Sequence, residues 1–468
     1  MKQSQRYRSM LIRKIGMRVL VIGCVVGLIL VLAGAYNKVV ERTTDIKKYQ
    51  IVLNSLSGSN GLNRTLILFS NNAEMRYGGG FIGSVGYIEA RQGKKLTIDP
   101  IHSVYYYDHR VEDKQDLLES ATPELLPLVP RITLRDSGVD LDWRRNAERA
   151  ARLFELESGK KVDTVAMMTP DVMKGLLSVT GPVQLKGYGF AVSSSNFLEK
   201  VQLEVEAGED KQAGKDPKTI LGVLANSLLQ QLFEKGSGRD LPRYVDMLSR
   251  LAKQKQLALY SRQTSVQQAL VSSGIDGGLE PAEGDYVMVA EANIGANKSS
   301  PYIRQHIDRK VRLEESGKAT VELTIQRRHS GQYSHQYVDP HDGLTKWLVG
   351  TNTSYVKLAL PVGSRVLRKN FELSRQVYTE SGRDVVTFLS VLEPGSTSTY
   401  KITYELPFRY SMGSEVVLPS FVEKPIGGFA QTVSQTMYLP SGYRLVEGAM
   451  LQGVRLDTDL SSRLVYRR

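Results

Sequence analysis

The string Asn71-Asn72-Ala73-Glu74-Met75-Arg76 runs through Tyr77 into three glycines, Gly78–Gly80, and on to Phe81-Ile82-Gly83. Glycines let backbone N–H groups approach an anion, and an arginine beside them offers a planar fork that fits phosphate. Glu74, Arg76, Gly79 and Gly80 therefore form a candidate anion or pyrophosphate site. The same residues also suit a tight hairpin corner held by a Glu74–Arg76 pair, and both readings stand on the sequence. A second concentration of charge, LRDSGVDLDWRR (Leu134–Arg145), contains Arg135, Asp136, Asp140, Asp142, Arg144 and Arg145. Paired carboxylates can hold Mg2+ beside a phosphate whose charge an arginine offsets. That chemistry makes the arginines and aspartates of this segment, Arg135 and Asp136 among them, candidates for the anion and the metal. Asp142, just before a helical pattern, reads instead as an N-cap. Asp108, ending the strand-like run Tyr105–Tyr107, is the second Mg2+ candidate.

Other chemistries are excluded by pattern. The six histidines are scattered, with no i, i+4 pair and no cysteine partner, so no zinc motif exists. Gly83-Ser84-Val85-Gly86 lacks the spacing of a nucleophile elbow, and no Gly-Lys-Ser/Thr follows the triglycine as a nucleotide P-loop requires. With no recognisable nucleophile or general base, the sequence leaves open whether the protein is an enzyme.

These residues need elements to hold them. TLILFS, FIGSVGYIEA and KLTIDPIHSVYYY read as strands, and WRRNAERAARLFELESG as a helix with Ala147, Ala150, Ala151 and Phe154 on one face. VDTVAMM is a buried strand, and Thr169-Pro170-Asp171 opens a further helix. Asn196 with Glu199 suggests a capping box, and Ile220–Gly236 and Leu241–Leu259 read as amphipathic helices. An apolar groove between them and the sheet would suit a lipid tail. Beyond Asp276-Gly277-Gly278 the texture becomes alternating strands with Gly, Pro and Ser turns, the pattern of an antiparallel sandwich.

The expected fold is therefore α/β (a sheet flanked by helices) followed by an all-β immunoglobulin-like sandwich, behind a single N-terminal transmembrane helix. The boundaries are a cytoplasmic basic tail (1–18), an anchor (19–36), a helical stalk (37–62), an α/β domain (63–299, with a helical segment at 193–272) and the sandwich (300–468). Val19–Tyr36 carries no charge and, at 18 residues, spans about 27 Å as a helix, one hydrocarbon core. Six basic residues and no acid precede it, which places the N-terminus in the cytoplasm and the bulk of the chain outside. Ala33-Gly34-Ala35 also has the form of a signal-peptidase site, so cleavage stands as an alternative. The only cysteine, Cys24, lies inside this span, which leaves the exported part without disulfides. Of the net charge of +12, six units belong to the tail, and the remaining +6 is modest for a surface of this size. It suits solvation or anionic envelope polymers, and no nucleic-acid motif is present.

Asn71–Arg76 with Gly79–Gly83, followed by Leu134-Arg135-Asp136, Val162-Asp163, Thr180-Gly181-Pro182-Val183 and Asn297-Lys298-Ser299, resembles a bacterial family known as domain of unknown function 4012. The resemblance covers roughly residues 64–300, and Tyr77-Gly78 departs from its pattern. The layout is more loosely similar to the LytR–CpsA–Psr glycopolymer transferases, which attach anionic polymers from a polyprenyl-pyrophosphate carrier to the cell wall. That resemblance implies Arg76 and Arg135 on the pyrophosphate and Asp-bound Mg2+, although the transferases' Arg-Asp string after the third strand is only partly matched by Tyr107–Arg110. Two functions follow: a membrane-anchored extracytoplasmic protein binding an isoprenoid-pyrophosphate-linked precursor, or a non-catalytic envelope scaffold. Convergence of Arg76, Arg135 and Asp136 on one site would favour the first.

Overall fold

The computed structural model describes residues 46–94, 96–208, 219–235, 241–338, 343–429 and 431–468. The basic tail, the apolar run Val19–Tyr36 and the start of the expected stalk lie outside the described residues. Among the described residues, no helix is long and apolar enough to cross a membrane.

The first domain holds strands β1 (Asn63–Asn71), β2 (Phe81–Ala90), β3 (Thr97–Ile98), β4 (His102–Ser103), β5 (Thr164–Met168), β6 (Val183–Gln184), β7 (Ala191–Val192) and β8 (Leu257–Ser261). Its helices are α1 (Ile46–Leu56), α2 (Tyr105–Asp108), α3 (Trp143–Ser158), α4 (Pro170–Thr180), α5 (Phe197–Ala207), α6 (Thr219–Lys235), α7 (Leu241–Lys253) and α8 (Thr264–Ser272). The sheet runs β3-β2-β1-β5-β8 with β4 also on β2. β1 and β5 are parallel, and the other pairs are antiparallel. Strand side chains alternate between faces, so Leu66 and Leu68 of β1 meet α3 while Ile67 meets α1, α4, α7 and α8. Burial on both faces explains why β1 reads as an unbroken apolar run rather than an alternating one.

Local signals account for several boundaries. The Asp142 carboxylate accepts from the Arg144 N–H, and Gly159 at φ 75° ends α3. Thr169 caps α4 at the Asp171 N–H. Asn196 does not cap α5 through its side chain, which instead accepts from the Ser193 N–H and donates to the Ala191 carbonyl. The expected third strand is largely absent. Pro100 has no N–H to donate to a ladder, and after β4 the chain coils into α2 and a 3-10 turn, so Asp108 ends a helical turn instead of a strand.

The expected helix Leu241–Leu259 also stops early. Lys255 adopts φ 52°, the Lys255 and Gln256 N–H groups bond back to Ala252 and Leu251, and Leu257–Ser261 continues as the edge strand β8. Met247 and Leu251 of α7 pack with Val172 and Leu176 of α4, and Ile220, Leu224 and Leu228 of α6 pack with Leu177, Phe197 and Val201. These apolar faces pack on one another, at the place where the sequence suggested a groove for a lipid tail. Val52 and Leu56 belong to the same core, so α1 is docked on the domain where a free stalk was expected.

The second domain comprises β9 (Asp285–Asn293), β10 (Ile303–Leu313), β11 (Lys318–His329), β12 (Ser334–Val338), β13 (Thr345–Val349), β14 (Asn352–Leu360), β15 (Arg365–Lys369) and β16 (Tyr378–Glu380). It continues with β17 (Arg383–Leu392), β18 (Thr397–Arg409), β19 (Glu415–Glu423), β20 (Gln431–Tyr438), β21 (Arg444–Glu447), β22 (Val454–Leu456) and β23 (Leu460–Arg467). Sheets β15-β18-β11-β10-β20-β22 and β16-β17-β14-β9-β19-β23-β21 enclose one core that includes Val287, Ile307, Leu323, Phe388 and Val433. The strand count and the parallel pairs β9–β19 and β10–β20 depart from an immunoglobulin plan, which is antiparallel with seven to nine strands. β9, read from sequence as part of the lead-in to this domain, is a central strand of it. Two of the segments on which the chain crosses from one sheet to the other are those between β9 and β10 and between β19 and β20. Both crossing segments meet the loop between β1 and β2.

Candidate functional site

The loop between β1 and β2 (residues 72–80) is seated in the second domain. The Met75 carbonyl accepts from the Asn293 N–H at 2.9 Å, the Ala73 carbonyl from the Ser300 N–H at 3.2 Å, and the Asn72 amide donates to the Gly427 carbonyl at 3.1 Å. Tyr77 is buried among Tyr286, Met288 and Val385, with Lys357 over its ring. The glycines are required by close approach. Gly80 has φ 129°, and a Cβ there would stand 2.6 Å from the Asn71 carbonyl carbon. Gly79 has φ 108° and faces Gly427, which in turn has no room for a side chain against Gly79. Gly80→Ala is expected to cost about 1–3 kcal/mol from the backbone conformation alone, with the clash adding to it. Denaturant unfolding checks this, and a loss below about 0.5 kcal/mol, the level of a neutral surface change, would show that the corner relaxes freely.

Arg76 turns inward from this loop and is only 4% exposed. Its guanidinium donates to the Asn293 carbonyl at 2.7 Å, the Met75 carbonyl at 3.1 Å and Glu74 Oε1 at 3.1 Å. The other Glu74 oxygen accepts from Lys298 Nζ at 2.7 Å. Burial pushes the Glu74 carboxyl up, but Lys298 and Arg76 outweigh it and hold the group below its ordinary value. Arg76 Nε lies 3.8 Å from Asp136 Oδ1, and Asp136 Oδ2 is 3.2 Å from Arg135 Nε. Arg135 Nη1 reaches Asp108 Oδ2 at 3.4 Å, where Thr133 Oγ1 also donates at 3.1 Å. Six charged residues thus form one chain of contacts: Lys298, Glu74, Arg76, Asp136, Arg135 and Asp108.

The sequence-predicted residues therefore converge, with divided roles. Arg76, Glu74 and Asp136 are buried and satisfied mostly by the protein itself. Arg135 is the cation with an open side: its side chain is 26% exposed and lies over the ring of Tyr105, itself exposed, at 5.2 Å. Gly79 and Gly80 shape the corner. The two Mg2+ candidates do not fit that role as they stand. Asp108 and Asp136 both turn an oxygen to Arg135, whose guanidinium fills the space between them, and among the described residues no three His, Cys, Asp or Glu side chains group around a point.

Sequence reasoning missed Lys298, Asn293 and Glu157. Lys298 lay inside a quoted motif but carried no sign of its partner. Glu157 had a signal: it falls three residues after Phe154, on the apolar stripe of α3, where a carboxylate is out of place. It is buried beneath the site, accepts from the Leu134 N–H at 3.1 Å, and has its second oxygen without a hydrogen-bond partner among the described residues. Burial, with Asp108 nearby, pushes its carboxyl up to about 8, and burial raises Asp108 to about 6 against the pull of Arg135 and Thr133. The site therefore combines a fixed ion network with two proton-holding carboxyls under one accessible arginine. It can grip an anion.

A mixed α/β region followed by a β-rich region, with a charged seam between them, is what fold and site define. Residues 60–205 match the family described as "Protein of unknown function (DUF4012)", and the chain carries a domain of that family. No curated protein matches the chain. Among solved structures, a putative nutrient binding protein from Legionella pneumophila aligns at 10% identity over 39% of this chain and 71% of its own, with a TM-score of 0.23. A Streptococcus agalactiae protein aligns at 10% identity over 46% and 75%, with a TM-score of 0.28. A transcriptional regulator from Enterococcus faecalis aligns at 10% over 49% and 78%, with a TM-score of 0.25. Overlaps of this depth transfer neither fold nor function to this chain.

Proposed function

We propose that this is a membrane-anchored, extracytoplasmic envelope protein that binds the pyrophosphate of an isoprenoid-linked glycopolymer precursor and presents it for transfer to the cell wall. Residues 19–36 would be the anchor, with the N-terminus in the cytoplasm. The observation that carries the reading is the convergence of Arg76, Arg135, Asp136 and Asp108 at one place, with Arg135 left partly open. Arg135 would take the anion as a fork while Asp136 and Asp108 hold its guanidinium in place, so little side-chain freedom is lost on binding. Asp136 and Arg76 position; Arg135 contacts.

A non-catalytic scaffold binding anionic wall polymer or protein is the second reading. It is favoured by the use of Arg76 and Glu74 within the seam. The test is thermal stabilisation of the full chain in detergent by a short isoprenoid pyrophosphate, with inorganic pyrophosphate and the isoprenoid alcohol run beside it. A ligand at about 100 times its Kd stabilises the native state by about 2.7 kcal/mol, and Arg135→Ala is expected to abolish that gain. Absence of any shift in the wild-type protein would sink the precursor reading and leave the scaffold. A shift with the alcohol alone would mean that the tail, not Arg135, is bound.

A further inference from the structure

A cavity is lined by Ile132 and Val139, which flank Arg135 along the chain. Residues 119–149 of the first domain and 357–381 of the second enclose this cavity of about 320 Å3, which opens to solvent. Its volume is in the range of small-molecule sites and equals the share of about ten waters in the liquid. It meets neither Arg135 nor Tyr105, so it is not part of the seam described above.

Charges around the cavity are balanced. Arg149 lies between Glu119 at 2.9 Å and Asp140 at 2.6 Å, and Lys357 holds Glu380 at 2.6 Å. Arg145 adds a contact to Asp140 at 3.3 Å, and Arg375 points to Glu124 from 3.9 Å while stacking on Tyr378. Four cations thus face four carboxylates, which selects against a strongly charged ligand of either sign.

The polar atoms left over are of one kind. Glu124 is 1% exposed, and neither of its oxygens has a hydrogen-bond partner among the described residues. The Thr122 and Ser381 hydroxyls are also buried without hydrogen-bond partners among the described residues, and all three residues line the cavity. A buried carboxylate lacking donors is costly, and here it sits in a cavity with two unused hydroxyls, one from each domain. The missing groups are donors and acceptors at several positions around a ring-sized, uncharged body. We propose that this cavity binds a neutral, polyhydroxylated ligand of about one sugar ring. With Glu124, Thr122 and Ser381 turned from the wall into the cavity, hydroxyls on the ligand donate to the carboxylate and exchange hydrogen bonds with the two hydroxyls. Because the wall of the cavity comes from both domains, an occupant also ties them together.

The experiment uses the full chain in a detergent without a sugar headgroup, with glucose, galactose and N-acetylglucosamine followed by saturation-transfer NMR and calorimetry. Binding of at least one sugar with a Kd of about 1 mM or tighter is expected, a modest affinity for one ring. Glu124→Gln, which keeps the shape, should weaken it about tenfold or more, as for loss of hydrogen bonds to a charged group. Ser381→Ala, which removes only a hydroxyl, should weaken it several-fold, and Arg135→Ala should leave it unchanged. The N-acetylglucosamine dimer separates sources: tighter binding than the monomer points to a polymer end, equal or weaker binding to a free sugar. No binding of any sugar up to about 10 mM, or binding indifferent to both Glu124→Gln and Ser381→Ala, would overturn the proposal. Failure of the pyrophosphate test leaves this one intact, since the two use different residues.

Discussion

Replacing Arg76 by alanine lowers the stability of the folded chain by about 3–5 kcal/mol, the cost of breaking a buried ion network from one side. The loss is large because three partners are stranded together. Glu74 keeps only Lys298, Asp136 keeps only Arg135, and the Asn293 carbonyl loses a donor at the point where the chain leaves β9. Arg76→Lys should recover little of this, since the three donors of an ammonium radiate from one atom and cannot reach two carbonyls, Glu74 and Asp136 from the separate positions that the planar guanidinium offers. Each domain carries one tryptophan, Trp143 in α3 and Trp347 in β13, so fluorescence during denaturant unfolding can report on either after substituting the other. The Arg76→Ala protein should also separate the two transitions, because the loop no longer locks the sandwich to the sheet. A loss below about 1 kcal/mol, the size of an exposed ion pair, would show that the seam is not held by this network.

The second large effect is one of pH. In the folded chain Glu157 keeps its proton up to about pH 8, whereas the ordinary glutamate value is 4.5. Between those values the folded state binds the extra proton, so stability is fully present below pH 4.5 and is lost as pH rises towards 8. Asp108 acts in the same direction over a lower window, from 3.8 to about 6. Glu74, held low by Lys298 and Arg76, opposes both, with stability lost only as pH falls below the glutamate range. Glu157 dominates above pH 6. At about 1.36 kcal/mol per pKa unit its contribution is about 3–5 kcal/mol across the window. Glu157→Gln is uncharged throughout and can still accept from the Leu134 N–H. It should therefore be the more stable protein at pH 8 and should lose the downward slope between pH 6 and 8. Denaturation midpoints of the two proteins at several pH values check this. Parallel curves would mean that Glu157 ionises freely.

Leu134-Arg135-Asp136 rides on the same buried carboxyl, since its first N–H is bonded to Glu157. Raising pH therefore loads negative charge directly beneath Arg135. The stability profile and the anion affinity of the Arg135 face should change over the same range if both depend on this group, a link the thermal-shift experiment can read at pH 6 and pH 8.

Much of the architecture could be read along the chain because its causes are local. Asp142, Thr169 and Pro170 announce helix starts through free N–H groups that need a partner or none at all, and the apolar stripe of α3 follows from its period. The convergence of Arg76, Arg135 and Asp136 was anticipated only as a condition on the function, through motifs rather than through geometry. What stayed hidden was every feature set by a distant partner. Leu257–Ser261 reads as a helix end until β5 offers it an edge, and the run Tyr105–Tyr107 reads as a strand until Pro100 and the packing of α2 remove its ladder. β9 reads as part of a connection until β14 and β19 close on either side of it. Types and spacing along the chain determined that two arginines (Arg76, Arg135), three acids (Glu74, Asp108, Asp136) and the glycines Gly79 and Gly80 would matter together. Only the tertiary structure decided that Arg76 locks the domains while Arg135 faces outward. Hydrogen-bond satisfaction settles that division: the free carbonyl of Asn293 and the carboxylate of Glu74 claim Arg76 from residues far apart in sequence, and no local pattern records such a claim.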